Sequence, residues 1–452
     1  MPNERELDEL CKYIVTKGKE LGATHVEARA QSGVELETEV ELGQVSTVSN
    51  KMNEEIAIRL YVGKKMGCAF TNIPTREAAD EALELAIAAA NATTEDADWV
   101  GLPVKSKYPK VEELWDDSVP KSDSSDVVRI VGTLIDRASS AVEGLIPAYG
   151  ASGALAYHSA YANSNEVEHS EKSTNGYVVI GGVSQTESGM TPMVVSYDIR
   201  RGLKLDLDFV VEDLATMMKL CKIPKKGKTG KHTVVIAPHA YQQIFEYTLL
   251  QSVRGDNVAR GKSKIGDKIG EAIASEKITV VDDGLNPRGV NTSCADDEGV
   301  PRQKTPIIED GILRSFLWDT YWANKMGVKS TGNARRNMRQ GLVEIASTTI
   351  VVEPGEREIE EIISGIEHGY YIRGVQGAHS SNPESGDFSV VGNPAILIEN
   401  GKMVGAIDGL MVSGNAFDIL KQVEEVARMP FYLQGTIGPE IVFRDVDIIA
   451  KE

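Results

Sequence analysis

At 452 residues the chain exceeds what one hydrophobic core normally organises, so two domains, or one domain with an elaborate second half, are expected. Hydrophobic residues make up 41% and charged residues 25%, an ordinary water-soluble composition, while 48 Lys and Arg against 67 Asp and Glu leave a formal charge of −19 that repels phosphate backbones and anionic lipid. With no apolar run near the ~20 residues of a membrane span and a charged start, MPNERELDELCKYIV, unlike a signal peptide, a cytoplasmic protein bound to neither nucleic acid nor membrane is expected.

Leu7, Leu10, Cys11, Ile14, Val15 and Leu21 recur at helical spacing, and Val34 to Leu42 (VELETEVEL) then alternates strictly, as a half-solvated strand with its acids facing out. IAIRLYVGKKMGCAF reads as a hairpin turning at Gly63-Lys64, and Thr75 is placed to cap the helix REAADEALELAIAAA. From Asp98 to Asp126 the chain turns polar, and Pro103, Pro109 and Pro120 exclude a long helix, so a surface linker is expected over about 98–126. A helix (VVRIVGTLIDRASSAV), strands carrying SEKSTNG and a helix (DLDFVVEDLATMMKLC) follow. This repeats the order helix, strands, helix, with SNKMNEE and SEKSTNG at equivalent places, and suggests an internal duplication.

The basic segment KIPKKGKTGK leads into the second half. Its GKT does not make a phosphate loop, because the glycine such a loop requires falls on Lys222, and no G-x-S-x-G nucleophile elbow is present. Cys11, Cys68, Cys221 and Cys294 lie far apart with no metal-ligand spacing and read as free, buried thiols. Beyond Lys231, short apolar runs alternate with glycine turns. Helices are expected only at PHAYQQIFEYTLLQSV, TYWANKMG, REIEEIISGI and NAFDILKQVEEVAR. The expected fold class is α+β with two domains: residues 1–222 α/β, and residues 223–452 β-rich with mixed or antiparallel sheets and packed helices.

Several ordered segments carry a resemblance. VDDGLNPRGVNTSCADDEGVPRQKTPIIEDGIL, STGNARR, VVEPGEREIEEIISGI and GDFSVVGNPAILIENGKMVGAIDGLMVSGN, together with LETEVELGQVSTVSNKMNEEIAIRLYVGKKMGCAF in the first half, resemble the TldD/PmbA family, also described as a modulator of DNA gyrase. The acidic charge gives that older description no support. The family comprises two related subunit types that assemble into a cytoplasmic peptidase. The resemblance implies that a TldD-type subunit carries a zinc motif H-E-x-x-x-H on a helix after a buried strand, with a cysteine ligand near the C-terminal sheet. Imidazole and thiolate hold such a metal, and the glutamate takes a proton from its water. TldE-type (PmbA) subunits share the fold without those ligands.

Aligned through Gly255-Asp256, the family's first histidine position falls on Glu246, the glutamate on Tyr247 and the second histidine on Gln251, and the cysteine position, in VVGNPAILIENG, falls on Asn393. One carboxylate with two amides is a poor donor set for zinc, and a phenol is a poor general base near neutrality. No cofactor is therefore expected in this chain, and zinc is expected in a TldD-type partner. The helix is expected to be structural, burying Ile244, Phe245, Thr248 and Leu249. His239, Gln243 and Glu246 share a helical stripe, so His239, Glu246 and His379 are kept as an alternative metal set. For peptide contact the candidates are His379 and Asp387 on the turn-rich loop Gly377–Asp387, and Arg335, Arg336 and Arg339 after STGN. Trp318, Tyr321 and Trp322 suit a core or a subunit contact.

Three functions compete at this stage. The first is a TldE/PmbA-type subunit of a metalloprotease acting on peptides or unfolded proteins, paired with a zinc-bearing TldD-type subunit. The second is an independent metal-dependent peptidase with a rearranged site, and the third a non-catalytic homodimeric peptide-binding protein.

Overall fold

The computed structural model describes residues 4–187 and 189–451. Residues 1–3, where the charged start of the sequence begins, lie outside the described residues.

The first half builds one antiparallel sheet. Helix α1 (Glu4–Glu20) leads into β1 (His25–Glu41), β2 (Gln44–Val62), β3 (Lys65–Thr71) and helix α2 (Arg76–Ala92). After a stretch without helix or strand come α3 (Ser124–Ala141), β4 (Leu145–Asn163), β5 (Glu168–Thr186), β6 (Gly189–Met190), β7 (Val194–Arg200) and α4 (Leu207–Cys221). The main strand order is β3-β2-β1-β4-β5-β7, with β1 and β4 paired at the centre. Each half of the sheet thus repeats helix, strands, helix about the β1–β4 pair. SNKMNEE lies on β2 and SEKSTNG on β5, each the neighbour of a central strand. The expected hairpin turns at Gly63-Lys64, where Gly63 takes φ +64°, and the Thr75 side chain accepts from the Ala78 amide.

Alternation along β1 assigns the two faces of this sheet. Val26, Ala28 and Ala30 pack with α1 and α2 against Ile56, Ile58 and Leu60. Glu27, Arg29 and Gln31 point to the other face, toward the second half of the chain.

The second half forms a ten-stranded sheet, a six-stranded sheet and a small hairpin. In the large sheet Gly230–Ile236 runs parallel to His368–Ile372 and antiparallel to Ile441–Ile449. Leu134 of α3 and Leu214 and Met218 of α4 are buried with Val178 and Ile180 of β5 and with Val235, Tyr371 and Ile396 of the large sheet. These helices form the layer between the two sheets. No described helix is long and apolar enough to cross a membrane.

Two expected helices are corrected. In NAFDILKQVEEVAR the helix stops after Ala416–Leu420, and Val423–Val426 is a strand paired with Ile441–Phe443. Val423 and Val426 are buried there, so tertiary pairing of β-branched residues overrides the helical pattern. PHAYQQIFEYTLLQSV is broken at Thr248 (φ −131°, ψ −86°) into α5 (Pro238–Tyr247) and α6 (Leu249–Ser252). The linker 98–126 is also less superficial than expected: Trp99 is buried and stacks on Tyr61 with ring centroids 3.6 Å apart.

The first sheet is tied to the second half by buried charge. Glu27 of β1 receives Arg336 at 2.7 Å, is hydrogen-bonded by Arg59 of β2, and accepts from the Tyr161 hydroxyl of β4 at 2.6 Å. Arg59 also reaches Glu298 at 2.6 Å. Arg336, expected to contact peptide, is fully buried in this network and is corrected to a structural role. Burial opposes ionisation of Glu27, but Arg336 and Arg59 overcome it and hold the carboxyl at about 2. Because this folded value lies below the ordinary 4.5, its stabilisation is complete above pH 4.5 and is lost as pH falls toward 2. Glu27→Gln should lower folding stability by about 3–5 kcal/mol at pH 7, since the buried Arg336 loses its counter-ion and Arg59 keeps only Glu298. Urea midpoints from pH 7 to pH 3 check this, and the gap between variant and wild type should narrow as the pH falls.

Candidate functional site

Helix α5 explains the site from the sequence upward. Pro238 occupies its first turn, where no intrahelical amide partner is needed, and Tyr241, Ile244 and Phe245 are buried in a core shared by the ten- and six-stranded sheets. Each such burial contributes about 1.5–3 kcal/mol. The expected burial of Thr248 and Leu249 is also observed. At the break, the Thr248 hydroxyl donates to the Ile244 carbonyl at 2.6 Å and the Gln251 side-chain amide donates to the Glu246 carbonyl at 3.0 Å. The helix end is thereby capped by side chains, and Glu246 and Tyr247 are left exposed.

These residues open onto a cleft between the first sheet and the second half. Its largest compartment, about 730 Å³, is lined by Tyr197 of β7, by His239, Gln242, Glu246 and Tyr247 of α5, and by Asn393. A neighbouring compartment of about 360 Å³ shares Gln242 and Glu246 and adds Gln251 and Arg335. Two more continue along the first sheet past Tyr177 and Tyr157. Gln434 lines all four, and its carbonyl accepts from the Gln242 side chain at 2.6 Å. The fold therefore brings Glu246, Tyr247 and Asn393 onto one compartment, with Gln251 on the next.

Of the alternative metal set, His239 lines the compartment but is held through one ring nitrogen by Arg373. Its Nδ1 lies 2.6 Å from Arg373 Nη1, and Arg373 Nη2 donates to Asp213 at 2.6 Å. Burial first, then the Arg373 charge, pushes the imidazole well below its ordinary 6.5, so Nδ1 accepts from the guanidinium and Nε2 carries the ring proton. His379 is exposed on a short 3₁₀ turn and does not line this compartment. Among the described residues no three His, Cys, Asp or Glu side chains are grouped to hold a metal, so the set His239, Glu246, His379 is not assembled. The positions of Glu246, Tyr247, Gln251 and Asn393 together offer one exposed carboxylate, two amides and a phenol, a donor set that does not fit zinc.

The peptide-contact candidates separate. Arg335 lines the cleft. Arg339 is exposed and lines none of the four compartments. Asp387 is also exposed, held by Ser385 at 2.7 Å and Asn415 at 2.7 Å, and Pro383 in the same loop accepts from the Ser252 hydroxyl at 3.3 Å. Trp318 is core, while Trp322 is half-buried beneath Arg260. Sequence reasoning missed Gln434, Asn291 and Tyr197, which sit in or beside turns and strands without any chemical motif.

Comparison with known proteins settles the relationship. The PmbA/TldA metallopeptidase C-terminal domain matches residues 229–450, and domain 1 of the same family matches residues 26–90. An uncharacterized protein of Methanocaldococcus jannaschii is 32% identical over 305 residues, 65% of this chain and 68% of that protein. The chain belongs to the PmbA/TldD family. A metalloprotease TldD homolog of Buchnera aphidicola is 31% identical over 45% of this chain, and the match spans 42% of that protein. The crystal structure of TldE from Thermococcus kodakarensis superposes with a TM-score of 0.92 at 31% identity, over 97% of this chain and 99% of that one. A Thermotoga maritima structure at 19% identity (TM-score 0.88, covering 98% and 99%) shares the fold.

The His239 arrangement generates a pH prediction. Because the folded value lies below 6.5, the stabilisation is complete above pH 6.5 and is lost as pH falls, at up to about 1.4 kcal/mol per pH unit for one proton. In His239→Gln, whose side-chain oxygen can still accept from Arg373, this part of the acid slope should vanish. Chemical denaturation of both proteins between pH 7.5 and 5 measures the difference.

Proposed function

We propose that this chain is a TldE/PmbA-type subunit that shapes a peptide-binding cleft and relies on a zinc-bearing TldD-type partner for hydrolysis. The observation that carries the reading is the constellation of Glu246, Tyr247, Gln251 and Asn393 around the break after α5, where histidines and a cysteine would be needed. Hydrolysis requires a polarised water and a group to take its proton. A phenol at the place of the base, and an imidazole committed to Arg373, supply neither. The likeness to a TldE structure over nearly the whole chain supports the same assignment. What this chain's residues can do is bind. The cleft joins aromatic side chains from the first sheet to amides from α5 and the Gln434 turn, a lining suited to an extended peptide backbone.

Purified chain should carry no stoichiometric zinc and should not hydrolyse an unfolded peptide. Mixed with a matching TldD-type subunit, it should associate and raise chelator-sensitive cleavage above that of the partner alone. Native mass spectrometry with metal analysis, and a cleavage assay of each chain and of the mixture with and without chelator, test these outcomes. One zinc per chain together with chelator-sensitive cleavage by this chain alone would instead establish an independent peptidase. Self-association with no effect on the partner would establish a homodimeric peptide-binding protein.

A further inference from the structure

A compartment of about 380 Å³ in this cleft is lined by four arginines, Arg29, Arg201, Arg302 and Arg335, in a chain whose formal charge is −19. They come from separate places: Arg29 from β1, Arg201 from the turn after β7, Arg302 and Arg335 from the second half. Arg29 is neutralised by Asp297 at 3.0 Å. Arg302 is held by the Gly332 carbonyl at 2.7 Å and the Thr348 hydroxyl at 2.9 Å, and buried Asp282 and Asp296 stand behind it.

Arg201 is different. Its Nη2 donates to the carbonyls of Gly289 and Thr292 at 2.8 and 3.0 Å, and its Nε has no hydrogen-bond partner. Neutral carbonyls fix this guanidinium in place without cancelling its charge. Burial pulls its proton affinity down to about 10, which Glu171 only partly offsets, as expected of a cation lacking a close counter-ion. Arg335 lines the same compartment from the second half of the chain, exposed, with Glu344 as its cross-strand neighbour. The carboxylates facing the two are thus Glu171, whose Oε2 already accepts from the Cys294 amide at 2.8 Å, Asp297, already paired, and the exposed Glu344.

Resting on the peptide-cleft reading above, we infer that Arg201 and Arg335 form a carboxylate subsite for a bound peptide, filled by its C-terminus or by an acidic side chain. Two guanidiniums lining one compartment suit a planar carboxylate, which accepts paired N–H donors. The subsite adjoins the compartment of Glu246 through the shared Arg335, Asn291 and Thr348, so one extended peptide can reach both.

The test uses the purified chain and a labelled, otherwise neutral peptide in three forms: with a free C-terminal carboxylate, amidated, and amidated with a single glutamate. Fluorescence anisotropy at low salt should show at least one carboxylate-bearing form binding about tenfold tighter than the neutral amide. Which form gains identifies the source. Arg335→Gln, an exposed change, should remove most of that preference by lowering the affinity of the carboxylate-bearing form far more than that of the neutral amide. Arg201→Gln should do the same, and its thermal midpoint should match wild type within a few degrees. Equal binding of all three peptides, no binding of any, or a preference untouched by Arg335→Gln would overturn the inference. None of those results bears on whether the chain activates a TldD-type partner, which the cleavage assay reads separately.

Discussion

The ion-pair network centred on Glu27 joins residues that are remote in sequence and holds the two halves of the chain in register. Its carboxylate receives Arg59 from the neighbouring strand and Arg336 from the strand Ala334–Arg336 more than three hundred residues away, while Arg59 continues to Glu298. Charges buried this deeply are costly unless every partner is in place. The arrangement therefore selects one docking of the loops around 298 and 336 onto the first sheet. The cleft exists because of that docking: the same face of β1 that carries Glu27 carries Arg29 and Gln31 two and four residues further on, and these line it.

A second constraint operates at the cleft floor. Helix α5 is anchored by Tyr241, Ile244 and Phe245, and it ends early because Thr248 turns its hydroxyl back onto the helix. The break directs Glu246 and Tyr247 outward. Behind the floor, Arg373 binds both Asp213 and His239 and so ties α4 to α5. A histidine that looks available on a helical wheel is in this way converted into an internal acceptor.

The first sheet contributes through its symmetry. Repetition of helix, strands, helix about the β1–β4 pair yields long central strands with one face covered by helices and the other free to meet the second half. That free face is polar and aromatic, with Tyr157 and Tyr177 hydrogen-bonded to Glu35 and Glu37, the acids that alternate along VELETEVEL. The alternation expected to place those acids in solvent places them partly inside the cleft wall.

By itself the sequence determined what depends on neighbours along the chain. Periodicity placed α1 to α4, the turn at Gly63-Lys64 and the cap at Thr75, and ordered motifs in both halves identified the family. The resemblance to that family also picked out Glu246, Tyr247 and Gln251 through Gly255-Asp256, and Asn393 through VVGNPAILIENG; Glu246, Tyr247 and Asn393 share one compartment. Tertiary structure alone decided what depends on distant partners. Val423–Val426 became a strand because Ile441–Phe443 offered an edge, and Arg336 became a buried tie because Glu27 faced it. Arg201 and Gln434 joined the cleft without any local signal. A helical pattern or a charged side chain records only its own preference, whereas burial, pairing and counter-ions are properties of the residues that folding brings beside it.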